Sequence, residues 1–266
     1  MHGMRITDFH SHAFPDALAD RAMAALLAET TDVTAYHDGR LSSLLESMDK
    51  AGIDRAVICS IATRPEQFDK ILAWSESIRS ERIEPFPSVH PQDPDVPGHI
   101  AAVAAAGLKG IKLHPYYQDF DLDDEAAFPI YEALCEHDLI LVCHTGFDIA
   151  FPRIRRCDPG KIVTVLERYP GLKFVSTHFG SWEDWDEVEA HLAGKPIYME
   201  ISYSLQLLGR ERARNMFLNH PRSHMLFGTD SPWQDQSETL GLFRALDLGE
   251  EWERAVLSEN AERLLG

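Results

Sequence analysis

The sequence predicts an α/β protein of the (β/α)8 class, a TIM barrel formed by a single domain over residues 1–266. A length of 266 residues is typical of this fold. Short β-branched runs recur along the chain with helical patterns between them, as in repeated βα units. Six of the thirteen histidines lie where these runs end. The ends of parallel strands meet at one rim of such a barrel, which is its active face.

Several of the eight predicted strands are nearly all apolar, as parallel strands buried on both faces are. The predicted strands are Met4–His10, Arg55–Ile61, Ile83–Val89, Leu108–Leu113, Leu139–His144, Leu172–His178, Ile197–Ile201 and His224–Gly228. The predicted helices are Leu41–Ala51, Phe68–Ser80, His99–Ala106, Ala126–His137, Pro159–Arg168, Trp185–Ala193, Gly209–Asn219, Ser237–Ala245 and Glu250–Leu265.

An open, doubly wound sheet is the alternative architecture. Such a sheet normally carries a glycine-rich phosphate loop after its first strand, whereas ThrAspPheHisSerHis stands there in this chain. The longest connection, from Ala13 to Asp54, follows the first strand. It is long enough to hold an extra helix or a flap over the barrel mouth.

The composition limits the class of partner. Lys and Arg total 25 against 43 Asp and Glu, a net charge of −18, which disfavours nucleic acid and anionic membranes because both require a positive surface. No apolar run approaches the ~20 residues that span a bilayer, and the segment MHGMRITDFH has no apolar signal core. The four cysteines show no CxxC pairing. A cytoplasmic protein with free thiols is therefore expected.

Five residues at predicted strand ends suit a metal site. His10 and His12 are two residues apart on the first strand, so both point toward the barrel axis. His144, His178 and Asp230 end the fifth, sixth and eighth strands. Imidazoles with a carboxylate suit Zn²⁺ or a similar divalent ion, and a catalytic zinc keeps one position for water. One histidine then remains for proton transfer.

Six segments resemble the amidohydrolase superfamily, and more closely its amidohydrolase-related branch, which includes aminocarboxymuconate-semialdehyde decarboxylase. They are AspPheHisSerHis, GlyIleLysLeuHisPro, CysHisThrGly, ThrHisPheGly, GlyThrAspSerProTrp and the closing GluAsnAlaGluArgLeuLeuGly, in family order over essentially the whole chain. The resemblance implies that the metal is held by His10, His12, His144 and Asp230. It makes His178 a general acid/base or a ligand of a second ion. It also makes Asp230 the acceptor of a proton from metal-bound water.

The fourth predicted strand leaves the number of ions open. Lys112 looks like the lysine that is carboxylated and bridges two metals in binuclear members of the superfamily. One ion is favoured here, because the amidohydrolase-related branch often works with a single ion. In that case the lysine pairs with a carboxylate or holds substrate. Two ions remain the alternative.

Loops after the strands are predicted to form the substrate pocket. The candidate substrate-binding residues are His114, Tyr116, Tyr117, Phe147, Arg153, Arg155, Arg156, Trp182, Trp185, Tyr203 and Trp233. Aromatic rings supply apolar walls and a guanidinium binds a carboxylate bidentately, so an organic acid is expected. Alternatively, the arginines are solvated loop charges and His114, like His90, is a packed loop histidine. The acidic run is interpreted as a solvated helix face: Glu183, Asp184, Asp186, Glu187 and Glu189.

The expected activity is metal-dependent hydrolysis of an amide, ester or lactone of a small organic acid, with Asp230 and His178 moving protons. A non-oxidative decarboxylase or hydratase on the same scaffold is the alternative. A TatD-like metal-dependent nuclease is less favoured, because Lys112 and His114 stand where such enzymes usually have a glutamate. A catalytically silent metal-binding barrel should have lost inner ligands, and none is missing. A homo-oligomer is compatible with the sequence.

Overall fold

The computed structural model describes residues 4–30 and 33–266, and this described part contains eight strands that alternate with helices. The strands are β1 Thr7–Ser11, β2 Arg55–Cys59, β3 Ile83–Phe86, β4 Gly110–Leu113, β5 Ile140–Cys143, β6 Lys173–Ser176, β7 Tyr198–Glu200 and β8 Met225–Leu226. The helices are α1 Asp16–Ala28, α2 Leu41–Ala51, α3 Phe68–Ile78, α4 Val96–Ala105, α5 Phe128–Glu136, α6 Pro159–Arg168, α7 Trp185–His191, α8 Leu205–Leu218, α9 Gln236–Arg244, α10 Glu250–Arg254 and α11 Asn260–Leu265. Each predicted strand is present, although most end a few residues earlier than predicted.

The strands pair in parallel within two ladders, β1–β2–β3 and β4–β5–β6–β7–β8. Backbone hydrogen bonds join the ladders on both sides. Lys112 N donates to Pro87 O over 2.8 Å, and Phe9 N donates to Phe227 O over 2.8 Å. The predicted (β/α)8 barrel is confirmed, and the open-sheet alternative is wrong.

Two helices differ most from the predicted patterns, and the ends of the others lie within three residues of the predicted ends. α8 begins at Leu205 instead of Gly209, and Gly209 interrupts it with a φ of 70°, a left-handed conformation that glycine adopts without steric cost. The predicted helix Glu250–Leu265 is not continuous, because a π-helical turn at Ala255–Glu259 separates α10 from α11.

The long connection after β1 contains the extra helix that its length predicts, α1. Farther along, Tyr36 N donates to Pro232 O over 2.8 Å, and His37 Nε2 lies 3.0 Å from Ser231 Oγ. This part of the connection therefore packs on the segment after β8, beside the barrel mouth. Residues 31 and 32 lie outside the described residues.

An apolar cluster fills the inside of the barrel and supports the strand ends. Six strands and the C-terminal helix contribute to it: Phe9, Val57, Cys59, Phe86, Ile140, Val142, Val175, Leu226, Ala261, Leu264 and Leu265. A larger cluster lies between the strands and the surrounding helices. A packed interior of this kind is expected of a (β/α)8 barrel, whose reactive groups lie above it.

One irregularity of β1 affects the site directly. The register between β1 and β2 shifts between Asp8 and Ser11. A β-bulge re-aims side chains, so that Phe9 packs in the apolar interior while the next residue, His10, also points inward. Asp8 Oδ1 accepts hydrogen bonds from His10 N and from Thr229 N. These bonds hold the end of β1 beside the segment after β8.

A buried ion pair joins β2 and β3 at the opposite end of the barrel, where Arg55 binds Glu84. Glu84 is only 2% exposed. We expect Arg55→Ala to lower the free energy of unfolding by about 3 kcal/mol, because it leaves a buried carboxylate without its partner. Urea unfolding measures this change. The double variant Arg55→Met with Glu84→Gln should recover most of the loss, and an unchanged unfolding midpoint in Arg55→Ala would contradict the interpretation.

Candidate metal centre

Two histidines and one carboxylate converge where β1 and β8 end. Asp230 Oδ1 lies 3.0 Å from His12 Nε2 and 3.4 Å from His10 Nε2. Ligand atoms that share an ion at about 2.0–2.2 Å lie roughly 3–3.5 Å from one another. The separations of Asp230 Oδ1 from the two histidine nitrogens are therefore those of a common coordination sphere.

Hydrogen bonding determines which ring nitrogens of His10 and His12 carry hydrogen. His12 Nδ1 lies 2.8 Å from Cys59 O, and His10 Nδ1 lies 3.0 Å from Glu200 Oε1. Both partners are acceptors, so each Nδ1 carries the hydrogen and each Nε2 of a neutral ring offers a lone pair. Burial holds the pKa of His10 well below its ordinary value. These outer hydrogen bonds set the tautomer that a metal ligand needs.

His144 and His178 show the same pattern. His144 Nε2 lies 3.0 Å from Phe147 O, and His178 Nδ1 lies 3.2 Å from Ser202 O. Those nitrogens donate to the carbonyls, which leaves lone pairs on His144 Nδ1 and His178 Nε2, 3.1 Å apart. Burial lowers the pKa of His178 to about 4 and that of His144 well below its ordinary value. Two neutral rings that face each other through lone pairs require a proton or a cation near them.

Asp230 completes this arrangement. Burial alone would raise its pKa, but the neighbouring His12, His178 and Lys112 outweigh burial and hold the pKa below the ordinary value. The residue is therefore a carboxylate at neutral pH. Its buried Oδ1 has no hydrogen bond of good geometry within the described residues, although two ring nitrogens lie near it. A cation between these acceptor atoms would satisfy all three, and we conclude that the residues fit a divalent metal ion.

Lys112, on β4, lies at the same centre. Its side chain is buried, and Nζ lies 3.1 Å from His10 Nε2. An amine that donates to this nitrogen agrees with the tautomer set by Glu200. The contact places Lys112 beside the candidate ligands, where a carboxylated lysine would also reach them.

Two residues that the sequence analysis did not select connect the histidines. Glu200, the last residue of β7, accepts hydrogen bonds from His178 N, Ser202 N and Ser202 Oγ in addition to His10 Nδ1. Burial raises the pKa of Glu200 to about 7. Ser202 Oγ also lies 3.1 Å from His178 Nδ1. A glutamate at the end of an otherwise apolar strand was the available sequence signal.

The backbone at two strand ends is in the left-handed region. His178 has a φ of 57° and Asp230 a φ of 61°. Residues other than glycine occupy this region at a cost and do so mainly where the surroundings hold them, often at functional sites. The left-handed residue His178 follows the early end of β6, and its side chain faces His144.

Glu200→Ala should weaken metal binding about 10–100-fold, because it removes the acceptor that orients His10. Competition with a chelator measures the metal dissociation constant. Glu200→Gln is the matched control, since its amide oxygen still accepts from His10 Nδ1, and it should bind metal nearly as the parent does. An unchanged dissociation constant in Glu200→Ala would show that this carboxylate does not support the centre.

Some of the candidate aromatic residues brace the loops at the barrel mouth, and others line a cleft beside it. Tyr116 Oη donates to Gly146 O over 3.1 Å, and Trp185 Nε1 donates to His178 O over 3.0 Å, so both brace the loops. Trp182 is 9% exposed, and its Nε1 has no partner within the described residues.

Tyr203 and Trp233 line a cleft of 240 Å³ beside the mouth. A larger cleft of 1050 Å³ lies on the outer side between α7 and α8, away from the strand ends.

The three candidate arginines are paired with carboxylates of the protein. Arg153 pairs with Glu183 and covers the Phe147 ring at 4.0 Å, Arg155 pairs with Asp184, and Arg156 pairs with Asp119. An acidic substrate would have to displace one of these partners, so their contacts do not support the expected role in substrate binding.

The interpretation of the acidic run as a solvated helix face is wrong for its first two residues, Glu183 and Asp184. Glu183 and Asp184 precede α7 and hold arginines of the neighbouring loop. The Asp184 side chain is only 12% exposed.

His90 and His114 differ in their relation to the candidate ligands. His90 Nδ1 accepts a hydrogen bond from Gln92 N within its own loop, which is the contact of a packed loop histidine. The ring of His114, in contrast, stacks on His144 with a centroid distance of 4.1 Å. His114 therefore lies against one of the candidate ligands.

The barrel with imidazole and carboxylate groups at its strand ends defines the class of metal-dependent (β/α)8 enzymes. Residues 7–266 match the amidohydrolase family Amidohydro_2, and the chain belongs to this family. No curated protein matches the chain. Within the described residues, no helix has the length and apolar character needed to cross a membrane.

Solved structures share the fold at low sequence identity. An uncharacterised TIM-barrel protein of Bordetella bronchiseptica is 21% identical, with 98% of each chain covered and a TM-score of 0.75. A 5-carboxyvanillate decarboxylase of Novosphingobium aromaticivorans, complexed with manganese and 4-hydroxy-3-methoxy-5-nitrobenzoic acid, is 16% identical, with 99% of this chain and 96% of that chain covered and a TM-score of 0.72. A probable 2-pyrone-4,6-dicarboxylic acid hydrolase of Acinetobacter baumannii is 15% identical, with 99% and 100% covered and a TM-score of 0.65.

Proposed function

We propose that the protein is a metal-dependent hydrolase that acts on an amide, ester or lactone of a small organic acid. One observation carries this proposal. Asp230 Oδ1 lies 3.0 Å from His12 Nε2 and 3.4 Å from His10 Nε2, and the Nδ1 atoms of both rings are hydrogen-bonded to other acceptors. Such an arrangement is stable around a cation.

The proposed ligands are His10, His12, Asp230 and His144 Nδ1, with one ion favoured. Imidazole and carboxylate ligands suit Zn²⁺, and manganese accepts the same groups. Manganese is the ion named for the related decarboxylase structure, so both metals belong in the test. A second ion would use His178 and a carboxylated Lys112.

A divalent ion bound at these residues would supply Lewis acidity and lower the pKa of a water molecule. The protein residues perform the proton transfers. His178 is neutral at pH 7, and its Nε2 lone pair can accept a proton and return it to the leaving group. Ser202 O and Ser202 Oγ hold the His178 ring in that orientation. Asp230 keeps negative charge next to the histidines.

Non-oxidative decarboxylation is the second candidate. It is favoured by the structural similarity to a 5-carboxyvanillate decarboxylase, as hydrolysis is favoured by the similarity to a probable pyrone dicarboxylic acid hydrolase. The same residues suffice for either reaction. In a decarboxylation His178 Nε2 would take a proton from a water molecule and deliver it to the carbon that loses carbon dioxide.

The protein loaded with Zn²⁺ or Mn²⁺ should be incubated with a library of acid amides, esters, lactones and aromatic acids. Mass spectrometry in isotopically labelled water detects uptake of water, and headspace analysis detects carbon dioxide. Water uptake supports hydrolysis, and carbon dioxide release supports the second candidate. Asp230→Ala, purified in the same way, is the negative control for turnover by a contaminating enzyme. Turnover that is equal in the parent and in Asp230→Ala would contradict both.

A cytoplasmic location and a homo-oligomer remain part of the proposal. Each of the four cysteines has a free thiol, as a reducing compartment favours. Fractionation of the source cells and light scattering of the purified protein test these two points.

A further inference from the structure

A second polar group lies at the barrel mouth beside the candidate metal centre. Asp148 follows β5 in the chain, and its Oδ2 lies 3.4 Å from His114 Nε2 and 3.7 Å from His144 Nε2. Its other oxygen, Oδ1, accepts a hydrogen bond from Ala150 N over 2.8 Å. The side chain is 12% exposed, so Oδ2 is within reach of a molecule in the mouth.

The three groups do not have the geometry of a second metal site. The rings of His114 and His144 are stacked, with planes 16° apart and centroids 4.1 Å apart. A ligand nitrogen binds a metal in the plane of its ring, and two parallel planes at this separation cannot both contain one ion. His144 Nε2 also donates to Phe147 O. The cluster is therefore organised around hydrogen bonding.

Gln118 holds the backbone at His114, and stacking on His144 positions the His114 ring. Gln118 Oε1 accepts from His114 N over 2.8 Å, and Gln118 Nε2 donates to Ala62 O and Val89 O. The carboxylate near Nε2 favours the tautomer with hydrogen on that nitrogen. In the described part of the chain, no lysine or arginine pairs with Asp148, whose contacts with basic side chains are limited to His114 and His144.

We propose that Asp148 Oδ2 accepts a hydrogen bond from a hydroxyl or amino group of the substrate and so determines specificity at the mouth. This inference rests on the proposed function, in which the reacting acid group lies at the metal centre. A carboxylate without a cationic partner attracts a donor and repels a second carboxylate. The substrate is then an acid with a donor substituent at its outer end, beside the Tyr117 ring that packs against His114.

The test measures binding to the metal-loaded protein by calorimetry. The probes are the 2-, 3- and 4-substituted benzoates in four forms: hydroxy, amino, methoxy and carboxy. The parent should bind at least one hydroxy- or aminobenzoate about ten- to hundredfold more tightly than the matching methoxy form, the range for a hydrogen bond to a charged group. The carboxy form should bind most weakly.

Asp148→Asn should remove most of this preference while the metal content stays unchanged. Glu125→Gln is the matched control, because Glu125 is exposed on the connection after β4, and it should keep the full preference. His114→Gln provides a second variant that loosens Asp148 without removing its charge, and it should reduce the preference partially.

Three results would overturn the inference. One is equal binding of hydroxy, amino and methoxy forms by the parent. Another is an unchanged preference in Asp148→Asn. The third is failure of every benzoate to bind a protein that turns over another acid of the library. Loss of turnover with the whole library would instead refute the proposed function, and the role of Asp148 with it.

Discussion

Asp230→Ala and His10→Ala are each expected to purify without stoichiometric metal and to lose all measurable turnover. Each substitution removes one of three converging acceptor atoms and leaves too few ligands for a stable site. Atomic emission of protein dialysed against a weak chelator measures the loss. Asp230→Ala also removes Asp230 Oδ1, the atom that lies 3.0 Å from His12 Nε2.

His191→Ala is a suitable control for these variants. His191 is half exposed on α7 and pairs with Glu187, away from the strand ends. It should keep full metal content and activity. Stoichiometric metal in both Asp230→Ala and His10→Ala would contradict the assignment of the ligands.

His178→Asn is expected to keep the metal and to lower kcat by roughly 10²–10⁴-fold, the usual contribution of a positioned general acid/base. The substitution removes the Nε2 lone pair that lies 3.1 Å from His144 Nδ1. Metal content and steady-state rates of the same preparation measure the two effects separately. A change confined to KM would contradict the role in proton transfer.

The His178 variant also tests the number of ions. If the parent binds two ions per chain and His178→Asn binds one, His178 is a ligand and the arrangement is binuclear. In that case Lys112 should carry a carboxylate, which mass spectrometry of the intact protein under mild conditions detects.

The sequence predicted the barrel because its signals are local. Apolar runs of four to eight residues that are rich in β-branched residues and alternate with helical patterns are typical of buried parallel strands. The position of His10, His12, His144, His178 and Asp230 at the ends of those runs was then sufficient to bring them to one rim. The carboxyl ends of the parallel strands of a barrel lie at one rim, whatever the structure of the loops.

Other parts of the site depend on features that a single sequence does not display. The bulge in β1 and the left-handed backbone at His178 and Asp230 are set by tertiary packing. In the sequence Glu200 looks like an ordinary strand residue, and only the fold brings its four hydrogen-bond donors around it. The arginines illustrate the opposite case, because their charge is visible in the sequence whereas their pairing with Glu183, Asp184 and Asp119 is not.

Anomalous diffraction from crystals of the metal-loaded protein tests the central claim most directly, and it requires no substrate. The peak is expected within about 2.0–2.2 Å of His10 Nε2, His12 Nε2, Asp230 Oδ1 and His144 Nδ1. A protein that takes up no metal, or an anomalous peak that is distant from His10, His12 and Asp230, would contradict it.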